Sequence, residues 1–239
     1  MSSHTAIPPP TEQTIFALSI SYTYASILFL SVEIYKRMSG IPVEISRKIV
    51  HVGAGTYVLA TLYLFDQWEY VSLLFASFVL INAILLKIRL FKAIDPQQGA
   101  TGGTIYFAFS CAFLIYWFSD GWEDGFPRGR AYIAIAGLMA MTYGDAFAAI
   151  IGRTYGHRKL SSISNRTIEG VQANFFFTFV SIILAWRIMS PPGLDIWNII
   201  AGAGIGAIAS AILETISPWG TDNLTVPIGV SFCLDLLGF

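Results

Sequence analysis

Long apolar runs recur along almost the whole chain, at about 14–36, 48–65, 70–91, 103–119, 131–152, 172–189 and 196–216. Most of them reach the roughly 17–25 residues that cross a bilayer. A last run, about 224–239, is shorter and holds Pro227. In lipid every backbone N–H and C=O must be satisfied within the chain, so segments of this kind are helices. The expectation is an all-α polytopic membrane protein, a bundle of about eight transmembrane helices. Composition agrees: 55% of the chain is hydrophobic and only 12% charged, against about a quarter charged in a soluble domain. So few charges cannot cover a water-exposed surface of this size. A soluble globular domain, a disordered chain and a nucleic-acid binder are excluded. Cys111 and Cys233 both lie in apolar runs and suggest neither a disulfide framework nor a zinc site.

Residues 1–13 are polar, with Pro8, Pro9 and Pro10 and no Lys or Arg, so they read as a flexible tail and not as a signal peptide. Residues 14–239 form one membrane-embedded domain. If the helices alternate in direction, Lys36, Arg37, Arg47, Lys48, Lys87, Arg89, Lys92, Arg153, Arg158, Lys159 and Arg166 share one face, 11 of the 14 basic residues. Basic residues collect on the cytoplasmic side, so that face is expected to be cytoplasmic, or stromal in a plastid. Asp66, Glu69, Asp120, Glu123, Asp124 and Asp195 fall in short loops on the other face and read as solvated turns.

The informative acids are those in lipid. Asp145 lies in the fifth run and Glu214 near the end of the seventh. A carboxylate within a spanning helix costs about 2.5–3.5 kcal/mol on insertion scales. Small residues share their faces: Ala148, Ala149 and Gly152 with Asp145, and Ala207, Ser210 and Ala211 with Glu214. Such faces let helices approach closely, so helices 5 and 7 are expected to pack there with the two carboxylates at similar depth. A bridging cation would relieve their repulsion, and Mg²⁺ suits a few carboxylates plus phosphate oxygens. A hydrogen-bonded structural acid or a proton-relay acid is the alternative.

After Asp145 comes the longest loop of the basic face, 152–171. It carries Arg153, His157, Arg158, Lys159 and Arg166 against one acid, Glu169. Helix 6 follows, and a helix N-terminus favours anions. Cations beside a helix N-terminus fit a polyphosphate; a basic loop touching lipid headgroups fits the charge count alone. Helix 2 opens with Ser46 as a candidate N-cap. Arg47 and Lys48 then share a face with His51, four and three residues on. Beyond helix 7, Pro218 stops the helix, and Asp222 and Asn223 return to the same membrane face. Residues 96–106 read as a glycine-rich hairpin on that face.

These elements, in this order, resemble the phytol kinase/dolichol kinase family of membrane lipid kinases, which is related to CDP-diacylglycerol synthases and the CTP-dependent diacylglycerol kinase. The resemblance runs from Ser46 onward. It rests on Arg47-Lys48-x-x-His51, on Gly144-Asp145-Ala146-Phe147-Ala148 with Gly152-Arg153 and Gly156, on Thr167-x-Glu169-Gly170, and on Glu214 with Asp222-Asn223-Leu224. The family usually has Lys where Arg166 stands. The resemblance implies phosphorylation of a membrane-borne isoprenoid alcohol, phytol or a related prenyl alcohol, with Mg²⁺ and CTP or UTP as donor. By the same resemblance Asp145, Glu214 and Asp222 hold Mg²⁺. Arg153, Arg158, Lys159, Arg166, Thr167 and Asn223 contact the nucleotide. Glu169 orders that clamp or touches metal, and Arg47, Lys48 and His51 sit near the acceptor hydroxyl and the γ-phosphate. The partners implied are a lipid alcohol, a nucleoside triphosphate and the bilayer, with a homodimer compatible and nucleic acid excluded. The alternatives are a diacylglycerol or dolichol kinase, a phosphatidate cytidylyltransferase and, from another class, a small ion-coupled transporter.

Overall fold

Helices begin and end where local chemistry dictates. Thr11 caps the first, its side chain accepting from Thr14 N at 3.0 Å, and Gly40 ends it with φ +66°. In the computed structural model, which describes residues 7–88, 102–120, 122, 129–160, 166–218 and 220–239, eight helices correspond to the eight runs. They are α1 (Glu12–Ser39), α2 (Val43–Leu64), α3 (Trp68–Ile88), α4 (Gly103–Trp117), α5 (Ala131–Tyr155), α6 (Ile168–Met189), α7 (Ile196–Ile216) and α8 (Asp222–Leu236). Five of them, α1, α3, α5, α6 and α7, are long and apolar enough to cross a membrane. The protein is therefore an all-α, multi-pass membrane protein. The 15 residues of α4 and of α8 rise only about 22 Å at 1.5 Å per residue. α8 runs through Pro227 and packs on α5 and α7.

α5 is the axis of the bundle, sealed almost continuously from Ile133 to Thr142. Its turn Ala140–Asp145 is a π-helix, a widening that is frequent at functional sites. Small residues let α6 close onto α5. A Cβ at Gly170 would stand 3.1 Å from Ala148 O and 3.4 Å from Gly152 Cα, and a Cβ at Gly144 would overlap Thr178 Oγ1. This corrects the expected pairing of helices 5 and 7 on their small faces. α6 takes the α5 face, and α7 meets α5 mainly along the π stretch. α7 is joined to α6 through Ser210 Oγ, which donates to Asn174 Oδ1 at 2.8 Å. Gly144→Val should therefore destabilise the bundle by about 1–3 kcal/mol by overpacking, read as a lower thermal midpoint in detergent.

The expected flexible tail is held where it is described. Tyr70 OH donates to Pro8 O at 2.8 Å, Gln67 Nε2 to Pro9 O at 3.0 Å, and Thr11 Oγ1 to Asp66 at 2.8 Å. α1 starts at Glu12, inside the expected tail. Asp66 thus anchors the chain start and Asp195 caps α7, accepting from Asn198 N at 2.7 Å. Both are structural acids. Asn165 of the loop, Glu123, Asp124 and most of the hairpin, 96–101, lie outside the described residues.

Candidate active site

The polar ends of α2, α5, α6, α7 and α8 meet at one end of the bundle. α2 presents Arg47, Lys48 and His51, and α5 presents Asp145, which is 1% exposed. Lys48 Nζ forms an ion pair with Asp145 Oδ2. His51 Nε2 lies 2.9 Å from Met141 O, within the π turn, and 4.0 Å from Asp145 Oδ2. A carbonyl can only accept, so Nε2 carries the proton in that contact.

Arg166 is the other centre. Its Nη1 lies 2.7 Å from Glu214 Oε1 and its Nη2 3.0 Å from Asp222 Oδ2. The cation that reconciles these two buried acids is thus one of the chain's own. Burial works against the Arg166 charge, but Glu214 and Asp222 more than offset it and hold its pKa above the ordinary value. Local pairing aims this guanidinium: Leu160 N donates to Arg166 O and Ile168 N to Arg158 O, both at 2.9 Å, forming a short antiparallel bridge between Lys159 and Thr167. Thr167 caps α6, accepting from Gly170 N at 3.2 Å. Glu169 accepts from Arg158 N at 3.4 Å. This contact ties the first turn of α6 to the loop.

Beside these groups is a cavity of about 360 Å³. One part is polar: Arg47, Lys48, His51, Asp145, Arg153, Arg166, Asp222 and Asn223 line it. Another part is mainly apolar, with Leu28 and Phe29 of α1, Val50 and Ala54 of α2, and Leu74, Phe75, Phe78 and Phe107 of α3 and α4. Arg158 and Lys159 of the loop, Thr167 at its end and Glu169 in the first turn of α6 do not line the cavity, and Glu214 reaches it through Arg166. Among the lining residues that escaped the sequence reading are Glu44 and Asn82. Glu44 pairs with Arg153 at 3.4 Å across the rim; an acid one turn before Arg47 and Lys48 was the available signal. Asn82 of α3 was hidden within an apolar run.

No group of three or more His, Cys, Asp or Glu side chains capable of holding a metal occurs among the described residues. Asp145 is matched by Lys48, and Glu214 with Asp222 by Arg166. Yet Glu214 Oε2 and Asn223 Oδ1 are buried without hydrogen-bond partners. Hard oxygens left over beside a carboxylate suit Mg²⁺, which needs only one or two protein carboxylates when phosphate oxygens complete its shell.

No family model matches the sequence, and no solved structure matches it. Curated relatives do. A phytol kinase of Synechocystis sp. is 31% identical over 222 residues, 89% of this chain and 88% of that protein. A probable chloroplastic phytol kinase of Oryza sativa subsp. japonica is 26% identical, covering 98% of this chain and 80% of the relative. A dolichol kinase of Schizosaccharomyces pombe is 29% identical over 124 residues, 52% of this chain and 23% of its own. With these relatives, the membrane bundle and its part-cationic, part-apolar cavity define a class: an integral-membrane kinase of lipid alcohols. Within that class the chain belongs to the phytol kinase/dolichol kinase family.

Proposed function

We propose that the enzyme transfers the γ-phosphoryl group of CTP to the hydroxyl of phytol or a related prenyl alcohol, giving the alkyl monophosphate and CDP. One observation carries this reading: a single cavity joins a wall of Arg and Lys side chains to a wall of Leu and Phe. The first suits a triphosphate and the second an isoprenoid tail. The relatives named as phytol kinases supply the acceptor class.

Phosphoryl transfer is mainly positioning and charge stabilisation. Arg47, Arg153 and Arg166 would hold the phosphates, and Lys48 would leave Asp145 for the γ-phosphate. The acceptor oxygen bonds to the γ-phosphorus as the bond to the β–γ bridging oxygen breaks, and CDP departs with that oxygen. Asp145, freed of Lys48, takes the hydroxyl proton. Glu214 and Asp222, with Asn223 beside them, would hold Mg²⁺, which would supply neutralisation of the phosphate charge. Asp145, expected as a third ligand, is here the base, because its partner in the free enzyme is Lys48 on the acceptor side.

The test is label transfer from γ-³²P CTP, UTP, ATP and GTP to phytol, geranylgeraniol, dolichol and diacylglycerol in detergent with Mg²⁺. Label moving from CTP to phytol or geranylgeraniol is expected. Transfer to diacylglycerol alone moves the acceptor class, and transfer of CMP to phosphatidate makes the protein a cytidylyltransferase. No transfer and no nucleotide binding sinks the kinase proposal and favours the transporter. Arg153→Ala should weaken CTP use about tenfold with every acceptor, the worth of one charge-assisted contact. Lys159→Ala, off the cavity, should change it only about twofold.

The site is proposed to face the cytoplasm or stroma, because alternating helices would bring 11 of the 14 basic residues of the sequence to that face. In a Cys233→Ser background, an impermeant maleimide should reach Ser39→Cys from the cytoplasmic side and Asp120→Cys from the other. Labelling of both from one side overturns the topology.

A further inference from the structure

α3 is the most apolar of the spanning helices, yet it carries Asn82 near its C-terminal end, 7% exposed. Asn82 Nδ2 donates to Thr104 O at 3.1 Å and so ties α3 to α4. Its Oδ1 is buried and has no partner. Turning the amide over would set Oδ1 against the Thr104 carbonyl, acceptor against acceptor, so the observed orientation is the only favourable one. The tie to α4 explains the nitrogen and leaves the oxygen without a structural role. A buried polar atom without a partner in a native fold calls for one.

Asn82 lines the cavity. The cations of that cavity come from α2, α5 and the loop before α6. Asn82 stands on the apolar part, with Leu74, Phe75, Phe78 and Phe107. Thr104 is one helical turn before Phe107, whose ring meets His51 edge-on with centroids 4.8 Å apart. Through Thr104 and Phe107 Asn82 is thus linked to His51, at the border of the apolar and the charged linings.

We propose that Asn82 Oδ1 accepts the hydrogen bond of the acceptor alcohol's hydroxyl and so positions its oxygen for transfer; this rests on the kinase reading above. An amide oxygen only accepts, so it repels phosphate oxygens and selects a donor. A lipid alcohol carries one such donor, attached to a tail that matches the surrounding Leu and Phe side chains. The nucleotide also has donors, in its ribose and base, but an alkyl and aromatic wall offers them no further partners. The hydroxyl has one hydrogen: Asn82 Oδ1 holds it as the alcohol binds, and it turns to Asp145 once Lys48 has left, the oxygen's lone pairs staying free to attack. Asn82 is a positioning residue: it sets which end of the lipid enters and where its oxygen stops.

The experiment compares wild type, Asn82→Ala and Asn82→Ser with phytol as acceptor and phytyl methyl ether, which lacks the donor, as competitive inhibitor. In wild type the alcohol should bind about tenfold better than the ether, the worth of one hydrogen bond to a buried acceptor. In Asn82→Ala the KM for phytol should rise about tenfold, the preference over the ether should vanish, and the KM for CTP should stay within twofold. Asn82→Ser keeps a hydroxyl that can donate toward Thr104 O but puts no acceptor at the Oδ1 position, so it should show the same loss with a thermal midpoint nearer wild type than that of Asn82→Ala. A rise in KM for CTP would assign Oδ1 to the nucleotide, and unchanged KM values would leave Asn82 structural; either overturns the proposal. Should both variants fail to fold, equal affinity of wild type for alcohol and ether overturns it alone. A wild type that phosphorylates no prenyl alcohol sinks the kinase reading itself, a result distinct from all of these.

Discussion

Replacing Arg166 by Ala should cost about 3–5 kcal/mol of stability, because it removes one partner of a buried ionic group and strands the others. Glu214 and Asp222 have side chains only 2% and 10% exposed, and Arg166 reaches both with separate guanidinium nitrogens. Without it two carboxylates face each other in a desolvated seam between α7 and α8. Thermal unfolding in detergent should show the loss. Adding Glu214→Gln to Arg166→Ala should restore much of it, a coupling that independent sites would not show. Arg166→Lys keeps the charge but has one point donor where Arg has a fork. It should hold one of the two acids and recover stability in part. CTP use should fall in all three, since Arg166 also lines the cavity.

Asp145→Asn has the largest expected effect on catalysis. The amide is isosteric and cannot take the hydroxyl proton, so transfer should fall by about 10²–10⁴-fold, the usual worth of a positioned base. Folding should survive. Lys48 loses its partner, but its side chain is 21% exposed at the membrane end, and a lysine there can extend its ammonium toward water. The stability change should be about 1–2 kcal/mol, and calorimetry should still detect CTP. Loss of fold together with activity would make Asp145 a structural acid. Wild-type turnover would remove it from the chemistry.

The membrane class and the helices were legible in the sequence for one reason. Each run satisfies its own backbone in lipid, so its length and apolarity decide its state without reference to its neighbours. The local signals were legible for a similar reason. Asp145 and Glu214 are conspicuous because acids are costly in lipid, and Arg47-Lys48-x-x-His51 lies on one face because the helical repeat puts it there. Ser46, expected to cap α2, lies instead inside it: the helix starts at Val43 behind Pro42, and the Ser46 hydroxyl donates to Val43 O.

What a carboxylate pairs with is not local. The sequence placed Asp145 and Glu214 at similar depth and invited one ion between them. Only the tertiary structure assigned Lys48, 97 residues away, to Asp145, and Arg166 to Glu214 and Asp222 together. The same holds for packing. Small residues on α5 and α7 say that some helix comes close; they do not say which, and α6 came. The division of the basic loop, with Arg166 turned inward and Lys159 held outside by its bridge to Thr167, also follows from contacts across the loop. Asn82 was silent in the sequence because one amide in an apolar run reads as a helix–helix tie. Its unpaired oxygen exists only once α4 has taken its nitrogen and left the other atom buried without a partner. Periodicity and the cost of polar groups in lipid act along the chain; ion pairing, close approach and cavity shape depend on which helices the fold brings side by side.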